Sequence, residues 1–233
     1  MAVPARNRFA RLAFLRENRA LLLLAALFLF FFALSSVART TWLWRWDHAI
    51  TLAVQRYRSP TLDLAAEGVS LGGDAGVLLI LGAGAIGLLV RLRRRTAAHF
   101  VIASLLALPL NVAIKAWIGR PRPAGDVQVI VPVLGLSFPS GHSMASTLVL
   151  GFLAFLVWVH SRDRWRAPTT ALFALTPVLV GLSRIYLGAH WLSDVIGGWT
   201  VGLFLLLLFA EGYKVLGAGD LLARTSDRTP DPD

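Results

Sequence analysis

The sequence contains no cysteine among its 233 residues, and only 15% of them are charged. The absence of cysteine excludes disulfide bonds and thiolate metal sites, although it does not identify the compartment. The aspartates and glutamates are too scattered along the chain to form a magnesium-binding cage. In contrast, 56% of the residues are hydrophobic. A soluble domain of this length cannot bury so much apolar surface, so the composition indicates an integral membrane protein.

Six apolar segments approach the roughly 20 residues that a helix needs to cross a bilayer. They cover residues 20–38, 76–90, 97–118, 143–160, 168–183 and 192–214. We therefore expect an all-α polytopic protein with one six-span membrane domain, residues 20–216, and neither a second soluble domain nor an internal repeat. A basic N-terminus, residues 1–19, precedes this domain. A polar tail, residues 217–233, follows it and is expected to be disordered.

The end of the first apolar run, Ser36-Val37-Ala38, resembles a signal-peptidase site that follows a basic region. The run is long for the hydrophobic part of a signal peptide. We therefore expect an uncleaved first helix rather than a removed leader.

The formal net charge of +10 is compatible with nucleic-acid binding, but the positions of the basic residues indicate membrane topology instead. In a six-span arrangement, one side of the membrane receives most of the 23 lysines and arginines. These residues are Arg6, Arg8, Arg11, Arg16 and Arg19 before the first span, Arg91, Arg93, Arg94 and Arg95 after the second, Arg162, Arg164 and Arg166 after the fourth, and Lys214, Arg224 and Arg228 after the sixth. By the positive-inside rule, both termini are expected in the cytoplasm.

The first loop on the outward side, residues 39–75, carries Trp42, Trp44 and Trp46 beside two arginines. Tryptophan is typical of the membrane–water interface, so we interpret this loop as an aromatic belt with an interfacial helix. A gate through which a lipid enters the protein is an alternative that rests on position alone.

The first of three polar clusters, KAWIGRPRP, lies where the third span ends. Lys115 precedes Arg120 and Arg122, and each arginine is followed by a proline. A basic cluster at the membrane interface explains this segment. However, the positive-inside rule disfavours cations on the outer side, so anion binding is the alternative.

The second cluster, GLSFPSGHS, residues 135–143, precedes the fourth span. A turn that caps the next helix explains Pro139, Ser140 and Gly141. His142 is an ionisable residue at the edge of a span, which makes it a functional candidate. The start of the helix also offers free backbone N–H groups and a positive dipole end, which together form an anion site.

The third cluster, SRIYLGAHWLSD, residues 183–194, connects the fifth and sixth spans and contains Arg184, His190 and Asp194. On a helix, residues four apart share a face, so Asp194 can accept a hydrogen bond from one ring nitrogen of His190. The other nitrogen is then unprotonated and basic, as in a catalytic His–Asp pair. A structural contact that only seats the start of the helix explains the pair equally well.

The six-span topology places all three clusters on the same side of the membrane. Together they hold three cations, two histidines and one carboxylate beside a helix N-terminus. Three cations favour phosphate over carboxylate as the anion, because phosphate has several charged oxygens for them to bind.

The chain contains three motifs in this order: Lys115-x6-Arg122-Pro123, Pro139-Ser140-Gly141-His142 and Ser183-Arg184-x5-His190-x3-Asp194. Together they resemble the three-part motif of the type 2 phosphatidic acid phosphatase (PAP2) superfamily. Every motif position matches, and the six spans match the membrane branch of that family. The resemblance covers the third to the sixth span, whereas the earlier residues match only in layout. It implies a PAP2/haloperoxidase-like helical core and an integral-membrane lipid phosphatase.

The resemblance also implies a role for each motif residue. His190 would attack phosphorus and form a phosphohistidine, with Asp194 orienting its ring. His142 would protonate the leaving oxygen and then activate the water that hydrolyses the phosphoenzyme. The remaining motif residues would bind the phosphate: Lys115, Arg122, Ser140, Gly141 and Arg184. No metal or other cofactor is expected, because lysine and arginine already neutralise the phosphate.

Four polar residues lie outside the motif. Arg120 is either a further phosphate contact or an interfacial anchor, and we favour the anchor. His48, in the aromatic loop, and His99 and His160, towards the cytoplasmic ends of their spans, are expected to have structural or interfacial roles.

The expected activity is hydrolysis of a lipid phosphate at the outer face of the cell (inner) membrane, where a lipid headgroup arrives by lateral diffusion. Candidate substrates are undecaprenyl diphosphate, phosphatidylglycerol phosphate and phosphatidic acid, and we expect loops 39–75 and 124–137 to select among them. A lipid phosphotransferase with the same site, or a phosphate-binding transporter or scaffold without catalysis, are the alternatives. Halide oxidation belongs to soluble members of the superfamily, which this chain does not resemble in composition.

Overall fold

The computed structural model describes residues 18–131 and 133–217. Most of the basic N-terminus and nearly all of the polar tail, for which sequence predictions were made above, lie outside these residues. Regular structure in the described ranges consists of helices, which confirms the expected all-α class. The helices are α1 Arg19–Val37, α2 Thr41–Gln55, α3 Pro60–Ser70, α4 Ala75–Arg91, α5 Arg95–Leu106, α6 Leu110–Ile118, α7 Gly141–His160, α8 Arg166–Tyr186 and α9 Leu192–Leu216, with a 3-10 turn at Leu71–Gly73.

Five segments of the described chain are long and apolar enough to cross a membrane. They are α1, the combined Arg95–Ile118, α7, α8 and α9. A sixth segment joins Pro60–Gly73 to Ala75–Arg91 through a bend of 50°. The six predicted spans therefore agree with the structure when this bent pair is counted as one span.

Local sequence signals determine where these helices begin and end. Four helices follow a side chain that accepts a hydrogen bond from their free N–H groups: Thr40 before α2, Ser59 before α3, Asp74 before α4 and Ser140 before α7. Pro60 occupies the first position of α3, where a missing N–H costs nothing. Gly119 ends α6 in the left-handed conformation, with φ of 67°, and turns the chain into the loop that carries Arg120 and Arg122.

Helix α7 is the centre of the bundle and packs against α8 and α9. In its most apolar window 67% of the residues are buried, against 6% in α1, so α1 lies at the edge of the bundle, where it packs against α9. Near the C-terminal end of α7, Phe152 packs with Phe100, Phe209 and Tyr213 in a buried aromatic cluster. The N-terminal end of α7 lies at the opposite end of the bundle, among polar residues.

Two glycines let α9 approach α7 closely. A Cβ atom on Gly198 would lie 2.6 Å from the carbonyl oxygen of Ser140, and one on Gly202 would lie 2.6 Å from Cβ of Thr147. Small residues permit this backbone approach between membrane helices. The contact holds the start of α9 beside the start of α7, and the N–H of Ser140 donates to the carbonyl of Asp194 at 2.9 Å.

The segment predicted as the first outward loop forms two helices, α2 and α3, rather than a single interfacial helix, and α3 is also the first half of the bent sixth segment. The side chains of Trp42 and Trp46 are more than half exposed, as expected for an aromatic belt. Both helices also contact α8, and α2 contacts α9, so the loop covers the ends of the helices that carry the third polar cluster.

Candidate active site

The three predicted clusters meet at one end of the bundle. Backbone hydrogen bonds join the loop after α6 to itself and to the α8–α9 connection: the N–H of Ser137 donates to Arg120, and that of Ile130 donates to Leu187. Because Ser140 is bonded to the start of α9, all three clusters are held in one rigid arrangement.

The His190 side chain is 2% exposed and lies between a carboxylate and a cation. Its Nδ1 is 3.4 Å from Oδ2 of Asp194, and its Nε2 is 3.1 Å from Nη1 of Arg122. With the proton of the neutral ring on Nδ1, the basic Nε2 faces the arginine. This is the orientation expected of a nucleophile that meets an anion held by Arg122.

The His–Asp contact forms across the start of α9 rather than along a helix face, because His190 precedes the helix. Asp194 also accepts the backbone N–H of Trp191 at 2.9 Å and so caps α9. The structural and the catalytic interpretations of this pair are therefore both compatible with the same geometry.

Burial lowers the pKa of His190 to about 3, although the hydrogen bond and the charge of Asp194 act in the opposite direction. A buried imidazolium loses its hydration, so the neutral ring is favoured. His190 is therefore a neutral imidazole with a free nitrogen pair at neutral pH.

Asp194 belongs to a buried ion-pair network that sequence reasoning did not find. Arg120, 2% exposed, donates from Nη1 to Asp194 and from Nη2 to Asp47, each at 2.7 Å. Asp47 also accepts the backbone N–H of Ser193 at 2.9 Å, and Ser137 donates its hydroxyl to Asp194. The interpretation of Arg120 as an interfacial anchor is wrong, since its guanidinium is enclosed between two carboxylates.

This ion-pair network contains more negative than positive groups. Two carboxylates, Asp47 and Asp194, surround one guanidinium, Arg120, and hydrogen bonds join all three. A buried ion pair is tolerated only when its remaining polar atoms are hydrogen-bonded, as they are here. Asp194 therefore keeps enough negative charge to hold the Nδ1 proton of His190.

Three cations border the site without a carboxylate partner among the described residues. Lys115 donates to the carbonyl oxygens of Leu136 at 2.6 Å and Ser137 at 3.2 Å. Arg122 donates from Nε to Gly135 at 3.1 Å. Burial lowers the pKa of Arg122, and neutral carbonyls do not cancel its charge, so this arrangement favours an incoming anion.

Arg184 is the third of these cations and is 3% exposed. Its Nη1 donates to Oγ of Ser70 at 2.6 Å, whereas its buried Nε has no hydrogen-bond partner in the described part of the chain. A buried N–H without a partner is costly and indicates a group that a ligand can satisfy.

The start of α7 has the form that the sequence predicted. Ser140 is fully buried, and its Oγ accepts the N–H of Ser143 at 3.4 Å and the hydroxyl of the same residue at 3.0 Å. Gly141 is the first residue of the helix, and a Cβ atom there would lie 3.1 Å from Oδ1 of Asn111. Ser140 therefore caps the helix, and its own hydroxyl proton is the group left for a ligand.

His142 lies one residue further along α7 and is partly buried. Its ring makes no hydrogen bond to the described residues. It lines a cavity of about 380 Å³ together with Arg184 and Ser70. A ring in such a position is free to exchange a proton with a ligand.

The other histidines are placed as expected. His48 stacks on Trp44 and its Nε2 lies 2.7 Å from Asp126, while Nε2 of His160 lies 2.7 Å from the hydroxyl of Tyr213 at the far end of the bundle. His99 is exposed in α5. These contacts do not involve the cluster around His190.

Sequence reasoning missed Asp47, Ser70, Ser137 and Ser193. Asp47 offered one signal, because it is an acidic residue inside the apolar, tryptophan-rich segment TWLWRWDH. An ionisable residue in such a segment is a functional candidate. The three serines carry no such signal, because serine is common in loops and at helix ends.

Comparison with known proteins gives consistent results. The PAP2 superfamily model matches residues 96–216. Phosphatidylglycerophosphatase B of Bacillus subtilis (strain 168) is 33% identical over 191 residues, which is 78% of this chain and 91% of that protein. Undecaprenyl-diphosphatase of Sulfolobus acidocaldarius is 29% identical over 131 residues, 54% of this chain and 60% of that protein.

A solved structure is also similar. It is the crystal structure of the first transmembrane PAP2 type phosphatidylglycerolphosphate phosphatase from Bacillus subtilis. The two chains superpose with a TM-score of 0.74 at 31% sequence identity, over 83% of this chain and 96% of the other.

Proposed function

The chain belongs to the PAP2 superfamily and is a membrane lipid phosphatase, and we propose that it acts without a metal through a phosphohistidine on His190 at the outer face of the membrane. One observation carries this proposal. The unprotonated Nε2 of a buried, neutral imidazole accepts a hydrogen bond from Nη1 of Arg122 at 3.1 Å, within a set of cations that have no carboxylate partner among the described residues.

The first chemical step forms the bond between Nε2 of His190 and phosphorus and breaks the bond between phosphorus and the lipid oxygen. Lys115, Arg122 and Arg184 stabilise the charge on the non-bridging oxygens. His142 gives its proton to the leaving oxygen, so that no negative charge develops on that oxygen as its bond to phosphorus breaks. The carboxylate of Asp194 stabilises the positive charge that develops on the His190 ring.

The second step returns the enzyme to its starting state. His142, now unprotonated, takes a proton from water, and the resulting hydroxide attacks phosphorus. The bond to Nε2 of His190 breaks and inorganic phosphate leaves. Acceptance of the phosphoryl group by a second alcohol instead of water would make the same site a phosphotransferase.

The substrate is a lipid phosphate or diphosphate. The relatives described above are named for phosphatidylglycerophosphate and for undecaprenyl diphosphate. Phosphatidylglycerol phosphate is the first candidate for this chain, because that relative is similar over most of both chains, followed by undecaprenyl diphosphate and phosphatidic acid.

The test is rapid-quench kinetics with a labelled lipid phosphate and purified protein. His190→Ala removes the nucleophile and is expected to form no phosphoenzyme with any substrate. His142→Ala is expected to lose roughly 10²–10⁴ in the rate of phosphoenzyme formation. The loss should be smaller with p-nitrophenyl phosphate, since nitrophenolate leaves without a proton. The labelled intermediate should then persist, because its hydrolysis also needs His142.

The matched control is His99→Ala, since His99 is exposed at the other end of the bundle. EDTA is expected to leave wild-type activity intact, and vanadate is expected to compete with the substrate. A phosphoenzyme that still forms in His190→Ala, or activity that EDTA abolishes and magnesium restores, would contradict the proposed mechanism.

A further inference from the structure

A cavity of about 380 Å³ lies against His142 and Arg184 of the proposed site. Its other polar lining residues are acidic or neutral, whereas the residues around His190 include several cations. Two carboxylates, Glu67 and Asp74, line it together with Ser70. The remaining lining residues are apolar: Leu71, Ile130, Val131 and Leu187.

The bend between α3 and α4 forms the acidic wall. A Cβ atom on Gly73 would lie 2.9 Å from Cβ of His142, so the bend is pressed against that residue. Ser70, at the end of α3, accepts the hydrogen bond from Nη1 of Arg184. The two carboxylates are therefore fixed in position relative to the proposed general acid and to one of the phosphate-binding cations.

Neither carboxylate has an ion-pair partner within residues 18–131 and 133–217. Oδ1 of Asp74 accepts the N–H groups of Gly76 at 2.9 Å and Val77 at 3.2 Å, so this oxygen caps α4 while Oδ2 remains available. Glu67 lies on the exposed side of α3. Both groups, when ionised, accept hydrogen bonds and cannot donate them.

A second observation indicates that this cavity receives a ligand. Arg184, 3% exposed, lines it, and its buried Nε has no partner in the described part of the chain. A phosphoryl group that satisfies this N–H would lie beside the cavity that Arg184 lines. The rest of the ligand must then extend either towards His190 or into the cavity.

In-line displacement decides between these directions. The leaving group departs on the side of phosphorus opposite the attacking nitrogen of His190, and His190 does not line the cavity. His142, which protonates the leaving oxygen, does line it. The leaving group of the proposed reaction therefore occupies the cavity with the two carboxylates.

We propose that Glu67 and Asp74 bind the leaving group and select a lipid alcohol that carries a hydrogen-bond donor, a hydroxyl or an ammonium, next to the scissile oxygen. This inference rests on the proposed function and deepens it. A leaving group that is itself a phosphate meets two carboxylates of like charge, so diphosphates are poor substrates. A substrate whose leaving group has no donor leaves the carboxylates without a hydrogen bond, and its kcat/KM is expected to lie between those of the other two classes.

The experiment compares kcat/KM for four substrates in mixed micelles. Phosphatidylglycerol phosphate carries a hydroxyl next to the scissile oxygen, and sphingosine-1-phosphate carries an ammonium. Phosphatidic acid carries neither and serves as the reference. In undecaprenyl diphosphate the charged phosphate of the leaving group is bonded directly to the scissile oxygen, whereas the phosphodiester of phosphatidylglycerol phosphate lies at the far end of the glycerol. Each result is expressed as a ratio to the phosphatidic acid value, which cancels general losses of activity.

Glu67→Gln and Asp74→Asn are the test variants, and asparagine keeps the oxygen that caps α4. Each variant is expected to lower the ratio for the two donor-bearing substrates by about tenfold, the effect of one hydrogen bond to a charged group. The ratio for undecaprenyl diphosphate should rise in both variants, and further in Glu67→Lys. The matched control is Glu211→Gln, a carboxylate paired with Lys214 at the far end of α9.

Ratios that stay at the wild-type values in all three variants overturn the inference while leaving the proposed phosphatase intact. A wild-type protein that prefers undecaprenyl diphosphate over phosphatidylglycerol phosphate also overturns it. A wild-type protein that releases no phosphate from any of the four substrates overturns the proposed function and the inference together.

Discussion

At the scale of single residues, we expect Arg120 and Asp194 to influence the protonation of His190, the proposed nucleophile, although neither is expected to touch the substrate. The guanidinium of Arg120 binds both Asp194 and Asp47 and so offsets part of the negative charge of Asp194. We expect Asp194 therefore to orient the His190 ring without favouring a proton on its Nε2. Burial lowers the pKa of His190 to about 3, and Asp194 acts in the opposite direction. Removal of Arg120 would leave the charge of Asp194 uncompensated and would favour the imidazolium.

We expect the double variant Arg120→Gln/Asp47→Asn to raise the pKa of His190 and to shift the acid limb of kcat/KM to higher pH. The sign follows because only the neutral ring attacks, so activity falls as the pH drops through the raised pKa. Asp47→Asn is included so that Asp47 does not become a buried charge without its partner, a penalty of roughly 3–5 kcal/mol. Asp194 also loses its cation, but it keeps the hydrogen bonds from the hydroxyl of Ser137 and the N–H of Trp191. The measurement is the pH profile with p-nitrophenyl phosphate.

Thermal unfolding of the same samples separates positioning from stability. If Arg120 only stabilises the fold, the double variant will unfold at a lower temperature but will keep the wild-type pH profile. Arg45→Gln is the control, since Arg45 lies two residues from Asp47 on the same helix and is exposed. It should change neither the pH profile nor the unfolding temperature.

Some residues of the site could be predicted from the sequence, and others could not. Lys115, Arg122 and His142 follow from motif spacing and from the rarity of ionisable groups at the ends of membrane spans. Arg120 lies 73 positions from Asp47, and a single sequence contains no information on such a contact. Its burial was therefore unpredictable, and its position outside the motif favoured the wrong role.

At the scale of helices, the close approach of α9 to α7 determines the geometry of the phosphate-binding turn. A Cβ atom on Gly198 would lie 2.6 Å from the carbonyl oxygen of Ser140 and 2.9 Å from Cβ of Ser143. These are backbone and short side-chain atoms, so they can move only if one helix moves. The cap of α7 and the position of Asp194 both depend on this contact.

We expect Gly198→Ala to separate the two helices, to destabilise the protein by about 1–3 kcal/mol and to reduce phosphoenzyme formation by tenfold or more, about the effect of a displaced catalytic group. The measurements are thermal unfolding in detergent and rapid-quench kinetics. Gly84→Ala in α4 is the matched control, because nothing lies within 4 Å of its added Cβ. It should be neutral or slightly stabilising. Equal behaviour of the two variants would show that the close approach is unimportant.

The helices themselves were largely predictable, and the exceptions have physical causes. Hydropathy located α1, α7, α8 and α9 because each crosses the bilayer with few polar residues. It merged α5 and α6 into one span, since the turn before Leu110 is as apolar as its surroundings. It also missed the bend after α3, because the residues there are too mixed in polarity to indicate a span.

At the scale of the whole molecule, the two ends of the bundle differ in chemistry. One end carries the buried ion-pair network and the cations around His190, whereas the other carries the aromatic cluster of Phe152 and Tyr213. The arginine-rich turn from Arg91 to Arg95, between α4 and α5, lies away from the site. From the positive-inside rule we predict that the site faces the outside, where a lipid headgroup in the outer leaflet would reach it.

We expect this orientation to be visible by cysteine labelling, for which the chain is suited because it contains no cysteine. Ala124→Cys places a thiol on the exposed loop after α6, on the side of the active site, and Thr96→Cys places one at the start of α5, at the opposite end. A membrane-impermeant maleimide should label Ala124→Cys in intact spheroplasts. It should label Thr96→Cys only after the membrane is permeabilised. Both variants should retain phosphatase activity, which shows that the labelled protein is folded. Labelling of Thr96→Cys alone before permeabilisation would place the active site in the cytoplasm and would reverse the proposed topology.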